Sequence, residues 1–238
     1  MKKILLSIAT MAMLNVSYAQ VIWQEDFESS TGTALPAGMT QVTAATDGGW
    51  LTGTGASLSS QYFTIPAHGR FVATNDDGCN CDKSNDILET PTFSLAGYSS
   101  NVYLQFDMVF AGATYQGNTE KAQVLYSING GSTWDTLTQI AGTNSTSWTT
   151  RAYLLTPAFN QSNIKLRFRY HDGTCWLFGM ALDNIKVLVP PAKDIAVTGA
   201  FPGGRYLANN NVFMARVQSL GMDPVTSVTL SYQVGTLP

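Results

Sequence analysis

Charge is scarce in this 238-residue chain: Asp, Glu, Lys and Arg together make up 12%, and the formal net charge is −3. No cluster of Lys and Arg accumulates anywhere, which argues against nucleic acid as a partner, because phosphate binding needs concentrated positive charge. Histidine occurs only as His68 and His171, neither beside a glutamate, so the His-Glu-x-x-His pattern of zinc proteases is absent. Gly-x-Ser-x-Gly is missing as well, and the glycine-rich stretches Gly48-Gly49 and Gly53-Thr54-Gly55 lack the Lys and helix of a phosphate loop. Only four glutamates are present, and the Glu-x-Asp-x-x-Glu arrangement of jelly-roll glucanases does not occur. These absences point away from an enzyme, with glycoside hydrolysis the alternative because it asks only for two carboxylates.

Long apolar runs are lacking too, except at the start. Lys2 and Lys3, the mostly apolar Ile4 to Val16, and the small-x-small sequence Ser17-Tyr18-Ala19 read as a signal peptide over residues 1–19. The run is shorter than the roughly 20 residues a spanning helix needs, so a transmembrane span is not expected in the mature chain. Cleavage before Gln20 removes two lysines and leaves 11 basic against 16 acidic residues, or −5. The expectation is a secreted or cell-surface protein.

Three cysteines, Cys79, Cys81 and Cys175, therefore enter an oxidising compartment, where one disulfide and one spare thiol are expected. Cys175 with Cys79 or Cys81, and Cys79 with Cys81, are all open pairings. A zinc site from these three with His171 is a weaker alternative, since oxidation competes for the thiols.

What the sequence has in quantity is β character. Val102, Leu104, Phe106, Met108 and Phe110 alternate with Tyr103, Gln105 and Asp107, and Ile164, Leu166, Phe168 and Tyr170 alternate with Lys165, Arg167 and Arg169. Each is a strand with one wet face, as in an antiparallel sheet. Asn129-Gly130 between two strand-like runs signals a hairpin. The surrounding Ser127 to Trp134 resembles the Asp-box hairpin of sialidases, with Asn129 in place of Asp; occurring once, it is expected to stabilise the fold and carry no chemistry. Pro190-Pro191 marks a boundary. Beyond it Asp194 to Thr198 and Val225 to Tyr232 again look like strands, too few residues for a whole immunoglobulin-like sandwich.

Glu25-Asp26-Phe27-Glu28, Leu35-Pro36-Ala37-Gly38, Trp50, Asp86 to Pro91, Ser127 to Trp134 and Gly179 to Val187, taken in order, resemble the MAM-like jelly-roll modules of secreted Bacteroidetes proteins. These include the cleaved-adhesin domains of gingipains and the domains called choice-of-anchor J. The resemblance implies an all-β, two-sheet antiparallel jelly-roll sandwich over residues 20–190, followed by a linker and incomplete immunoglobulin-like segment over residues 191–238. It implies adhesion or binding of a glycan or an extracellular protein, with membership of a larger multidomain protein, or a place as an accessory domain of a secreted peptidase, as further expectations. Structural calcium is common among such modules.

Strand parity gives calcium a physical reading. If Phe27 points into the core, Glu25 shares its side, and Asp183 shares a face with Ile185 and Val187. An ionised carboxylate facing a core needs a partner, and calcium accepts carboxylate oxygens in flexible geometry. The expected ligands are Glu25, Glu28, Asp76, Asp77 and Asp183, with solvated turn acids as the other reading. For ligand binding, Trp50, Tyr62, Tyr115, Trp148 and Trp176 could stack on a sugar ring or a partner side chain. Trp176, in the loop Asp172 to Trp176, is the foremost of them.

Overall fold

The alternation along the chain resolves into two stacked antiparallel sheets. A computed structural model describes residues 19–144, 146–191, 195–201, 214–219 and 226–227. The expected signal peptide lies outside these residues except for Ala19. Gln20–Val189 is one compact unit and the residues from Pro190 onward belong to another.

In the first unit the strands are β1 (Gln20–Glu25), β2 (Thr40–Val42), β3 (Leu51–Gly53), β4 (Phe71–Asn75), β5 (Asp86–Glu89) and β6 (Tyr103–Val109), with two one-turn helices, α1 (Gly55–Leu58) and α2 (Asp76–Cys79). There follow β7 (Thr114–Tyr115), β8 (Asn118–Thr119), β9 (Lys121–Ser127), β10 (Asp135–Ile140), β11 (Thr149–Leu154), β12 (Lys165–His171) and β13 (Gly179–Val189). One sheet runs β11-β6-β13-β4-β3, with β1 also paired to β13; the other runs β10-β9-β12-β5-β2. Every strand pairing in the two sheets is antiparallel. In the second unit β14 (Ile195–Phe201) pairs antiparallel with β15 (Met214–Ser219). The strand expected from Asp194 to Thr198 falls on β14, apart from the undescribed Asp194, while most of Val225 to Tyr232 lies outside the described residues.

The inward faces supply the core. Val102, Leu104, Phe106 and Met108 from the β6 region meet Leu166, Phe168 and Tyr170 of β12, with Phe106 edge-on to Phe168 at 5.1 Å between ring centroids. Trp50 belongs to the same core and is fully buried. Across the outer face of β4 and β13, Leu58, Phe63, Ile65, Phe71, Val109 and Ala181 form a second, smaller apolar cluster. Such satellite clusters lie under long loops and fix their path.

The Ser127 to Trp134 hairpin joins β9 to β10 and is closed by its own side chains. Ser127 Oγ takes Gly131 N–H at 2.8 Å, Asn129 Oδ1 takes Thr133 N–H at 2.9 Å, and Trp134 Nε1 donates to Gly131 O at 2.9 Å. Arg167 lies over the Trp134 ring, 3.8 Å from its centroid. Each bond holds the turn to itself.

Two local departures from strand parity correct the expected orientation of the terminal acids. Asn184 has a φ of +49° and forms a β-bulge between Asp183 and Lys186, so Leu182 and Ile185 both reach the core while Asp183 turns to the opposite face. There it stands across from Asp107. At the other end β1 stops at Glu25 and Phe27 takes a left-handed φ of +57°, with Phe27 N–H donating to Glu25 Oε1 at 2.7 Å. Phe27 fills the core without Glu25 following it by parity.

Candidate functional site

Three loops leave the sandwich at one end and build a cleft between them. The first carries Gln61 and Tyr62 after α1. The second holds α2, and the third runs from Asp172 to Phe178 ahead of β13. A two-residue hairpin arm, β7 and β8, supplies Thr114 and Tyr115. Together they line a cleft of about 480 Å³. Tyr62, Tyr115 and Trp176 are all more than half exposed on its walls.

Buried carboxylates hold these walls in place. Asp76 N–H and Asp77 N–H both donate to Phe178 O, at 2.9 and 3.2 Å, and Leu177 N–H returns a 2.5 Å bond to Asp76 Oδ2. Tyr62 N–H donates to Asp77 Oδ2 at 2.9 Å, and Trp176 Nε1 to Asp77 O at 3.3 Å, which fixes the indole against α2. Glu120, nearly fully buried, takes Ala113 N–H at 2.8 Å on one oxygen and Tyr170 OH and Gly179 N–H at 2.9 and 3.2 Å on the other. One acid thus ties the hairpin arm to the start of β13. Asp172 binds Thr174 N–H and Lys83 N–H at 2.7 and 3.0 Å. Rings presented on walls tied in this way lose little further freedom when a ligand arrives.

On the other side of Trp176 a second hollow, about 440 Å³, is lined by Asp76, Asp82, Asp172, Asn80 and both Cys81 and Cys175. The disulfide joins Cys79 to Cys81 and leaves Cys175 free. Among the described residues the one group of three potential metal-ligating side chains is Asp47, Cys79 and Cys81, whose sulfurs are bonded to each other.

The five acids expected to share calcium are not brought together; no three of them place carboxylate oxygens within 4.8 Å of one another. Each has separate donors. Glu25 holds Phe27 N–H, Glu28 takes Arg70 N–H at 3.0 Å, and Asp76 and Asp77 pin the cleft loops as above. Asp183, turned outward by the bulge, takes Asn184 N–H on one oxygen and meets His68 Nδ1 at 2.6 Å with the other. The His68 cluster itself was not legible in the sequence: its ring stacks on Trp148 at 4.4 Å, and Nε2 lies 3.8 Å from Asp107 Oδ2. Trp148 also donates to Pro66 O at 2.9 Å and packs on Phe71, so it serves packing, as Trp50 does in the core.

Burial pushes the Asp76 carboxyl up to about 7, with the charges of Asp172 and Glu120 adding to the rise and Leu177 N–H and Lys83 opposing it. Burial likewise lifts Asp183 to about 6 against the pull of His68. Both groups hold a proton more tightly in the folded chain than at the ordinary value of 3.8. Their contribution to stability is therefore full below that value and is lost as pH rises through 6 and 7. The melting midpoint is expected to fall between pH 4 and pH 7.5, and to fall less in Asp76→Asn, which keeps an acceptor for Leu177 N–H. Thermal melts across the range check this; a midpoint that climbs through the window contradicts it.

Comparison with known proteins agrees with the architecture. A family model, Reelin subrepeat B, matches residues 82–187. The K3 cleaved adhesin domain of Lys-gingipain from Porphyromonas gingivalis is similar over 71% of this chain and 98% of its own, at 18% identity and a TM-score of 0.50. Its K1 domain is similar over 69% and 96%, at 20% identity and a TM-score of 0.47. The CBM22-1 xylan-binding domain of Paenibacillus barcinonensis Xyn10C covers 73% and 97%, at 14% identity and a TM-score of 0.43. No curated protein sequence matches the chain. The first unit has the cleaved-adhesin type of jelly-roll fold, and no helix among the described residues is long and apolar enough to cross a membrane.

Proposed function

We propose that Gln20–Val189 is a noncatalytic binding module of a secreted or cell-surface protein, and that its ligand is a glycan held in the cleft of Tyr62, Tyr115 and Trp176. The observation that carries this reading is the convergence of three exposed aromatic side chains, from loops far apart in sequence, on one open cleft. Large exposed aromatic surface is costly in water unless something covers it. Tyr and Trp offer an apolar face for the C–H side of a sugar ring and a polar edge for its hydroxyls. Gln61, Asp77 and Thr114 add hydrogen-bonding groups on the same walls.

Trp176→Ala tests the reading. Central aromatic anchors commonly cost about 2 kcal/mol or more when truncated, so affinity for a glycan found on an array should fall about 30-fold or more. Tyr62→Ala and Tyr115→Ala should fall less, because each borders the cleft on one side. The melting midpoint should stay near wild type, since Trp176 makes one side-chain hydrogen bond and is more than half exposed. Unchanged affinity in Trp176→Ala sinks the glycan site.

A further inference from the structure

The mature chain is acidic overall, but the outer face of the second sheet is not. Alternation along β12 sends Leu166, Phe168 and Tyr170 into the core and Lys165, Arg167 and Arg169 outward, and Lys121 of β9 stands on the same side, opposite His171. Glu89 is the one acid that β5, β9 and β12 turn to that face, since Asp86 points inward to Thr74. It is shared: Lys165 Nζ reaches its Oε2 at 2.9 Å, while Arg167 Nε and Nη2 both close on Oε1, at 2.7 and 2.6 Å. Arg169, two residues on, is placed alike but partnered differently. Where β5 sets Glu89 across from Arg167 it sets Ile87 across from Arg169, and on the β9 side Gln123 Oε1 takes Nη1–H at 3.2 Å. The Nε–H of Arg169 is buried and meets no acceptor, and neither Arg169 nor Lys121 has a carboxylate in ion-pair range among the described residues. A buried donor without an acceptor is a cost that the fold leaves uncompensated.

We propose that this face is a second binding surface and that it takes a polyuronate, a glycan chain bearing carboxylates, one of which closes on Arg169 as Glu89 closes on Arg167. The pair inside the protein shows the geometry that a guanidinium on this sheet gives a carboxylate. The ligand supplies the acceptor and the charge that Ile87 does not, and Lys121, exposed on the neighbouring strand, extends the attraction to a further carboxylate of the chain. Ile87 and the half-exposed Val42, which continue the Arg169 row across β5 and β2, give the sugar an apolar floor beside the cation. An acidic peptide offers carboxylates too, but β5, β9 and β12 are each paired on both sides, so a peptide lying on this face gains no strand ladder. Single-stranded nucleic acid asks for exposed rings to stack on, and the Trp134 ring beside this stripe is covered by Arg167. The surface shares no residue with the aromatic cleft, so the two readings stand or fall separately.

Titration calorimetry of the full chain against an oligogalacturonate, its methyl ester, a sulfated glycan and polyglutamate tests this. At neutral pH and low salt the oligogalacturonate should bind at least about 10-fold tighter than its ester, the margin of a charge-assisted hydrogen bond, and the margin should shrink as salt is raised. Arg169→Gln should remove most of the margin, and Arg169→Lys should keep only part of it, because an ammonium lacks the fork. Ile87→Glu should also remove it, by giving Arg169 the internal partner that Arg167 has, with a melting midpoint near wild type as the check that the variant folds. Lys121→Gln, at an exposed position, should lower affinity in the same direction whatever the fate of Ile87→Glu. Trp176→Ala should leave uronate binding unchanged. Equal affinity for the acid and its ester overturns the proposal, as does full binding by Arg169→Gln. Loss of binding in Trp176→Ala overturns it too, by putting the uronate in the aromatic cleft. Binding of the sulfated glycan alone overturns it in favour of a sulfate site, binding of polyglutamate alone in favour of an acidic protein partner, and binding of none of the four overturns it outright.

Discussion

Lys83→Ala should unfold the module at markedly lower denaturant, with a loss of about 3–5 kcal/mol, the usual effect of removing one partner of a buried ion pair. Lys83 is fully buried, and its Nζ donates to Asp47 Oδ1 at 2.9 Å and Asp86 Oδ2 at 3.2 Å. Asp86 is equally buried and also accepts from Thr74 Oγ1 at 2.6 Å and from Thr43 Oγ1. Without the ammonium, two hydroxyls are left to face an ionised carboxylate in the interior, which is far less than water gave it. The loss comes from the stranded charge more than from the missing attraction. Lys83→Met combined with Asp86→Leu should accordingly cost much less than Lys83→Ala alone, because no fully buried ion is left unpaired and Asp47, the other partner, reaches solvent. Urea denaturation of the two variants decides it, and a double variant as unstable as the single one would show that the pair contributes by its contacts. Lys83 N–H also reaches Asp172, so the single variant should loosen the cleft loops as well.

Phe27→Ala is expected to cost about 3–5 kcal/mol, in the range of other buried phenylalanines truncated to alanine. The ring is fully buried in the main core, while the backbone turns through a left-handed φ of +57° that a bulky side chain seldom adopts. Two bonds to the Phe27 carbonyl, from Ser30 N–H at 3.0 Å and Ser30 Oγ at 2.6 Å, and one from its N–H to Glu25, hold that turn. Since glycine enters this region freely, Phe27→Gly should be no less stable than Phe27→Ala, the reverse of the order at an extended core position. Melting midpoints of the two variants test the point; a clearly lower one for the glycine variant would mean that the turn carries no strain.

Phe27 also marks how far the sequence could be read. The alternation at Val102 to Phe110 and Ile164 to Tyr170 was legible because both strands have one wet face and no irregularity, and both deliver their apolar residues to the core. The same arithmetic failed at the two terminal acids, where one left-handed residue after β1 and one extra residue in β13 reset the count. Neither Asn184 nor Phe27 announces itself, since both lie inside strand-like stretches. Trp176 stood out because it follows a polar turn. Its convergence with Tyr62 and Tyr115 was not legible, because it depends on where three loops end after the sheets have stacked. Lys83 sits among Asp82, Ser84 and Asn85, a polar stretch that gives no sign of burial. Only tertiary structure closes Asp47, Asp86 and Thr74 around it.

The pairing of Gln20 with Val189 has a consequence for delivery. Where the polypeptide enters the jelly roll is also where it departs, at the far end of β13 from Gly179, whose N–H is fixed beside the cleft by Glu120. The ten steps of about 3.3 Å along the 11-residue strand put roughly 33 Å between that end and the aromatic cleft. The chain ends of the module therefore lie at the pole opposite the cleft, as the two ends of one β-sheet edge away from its loops.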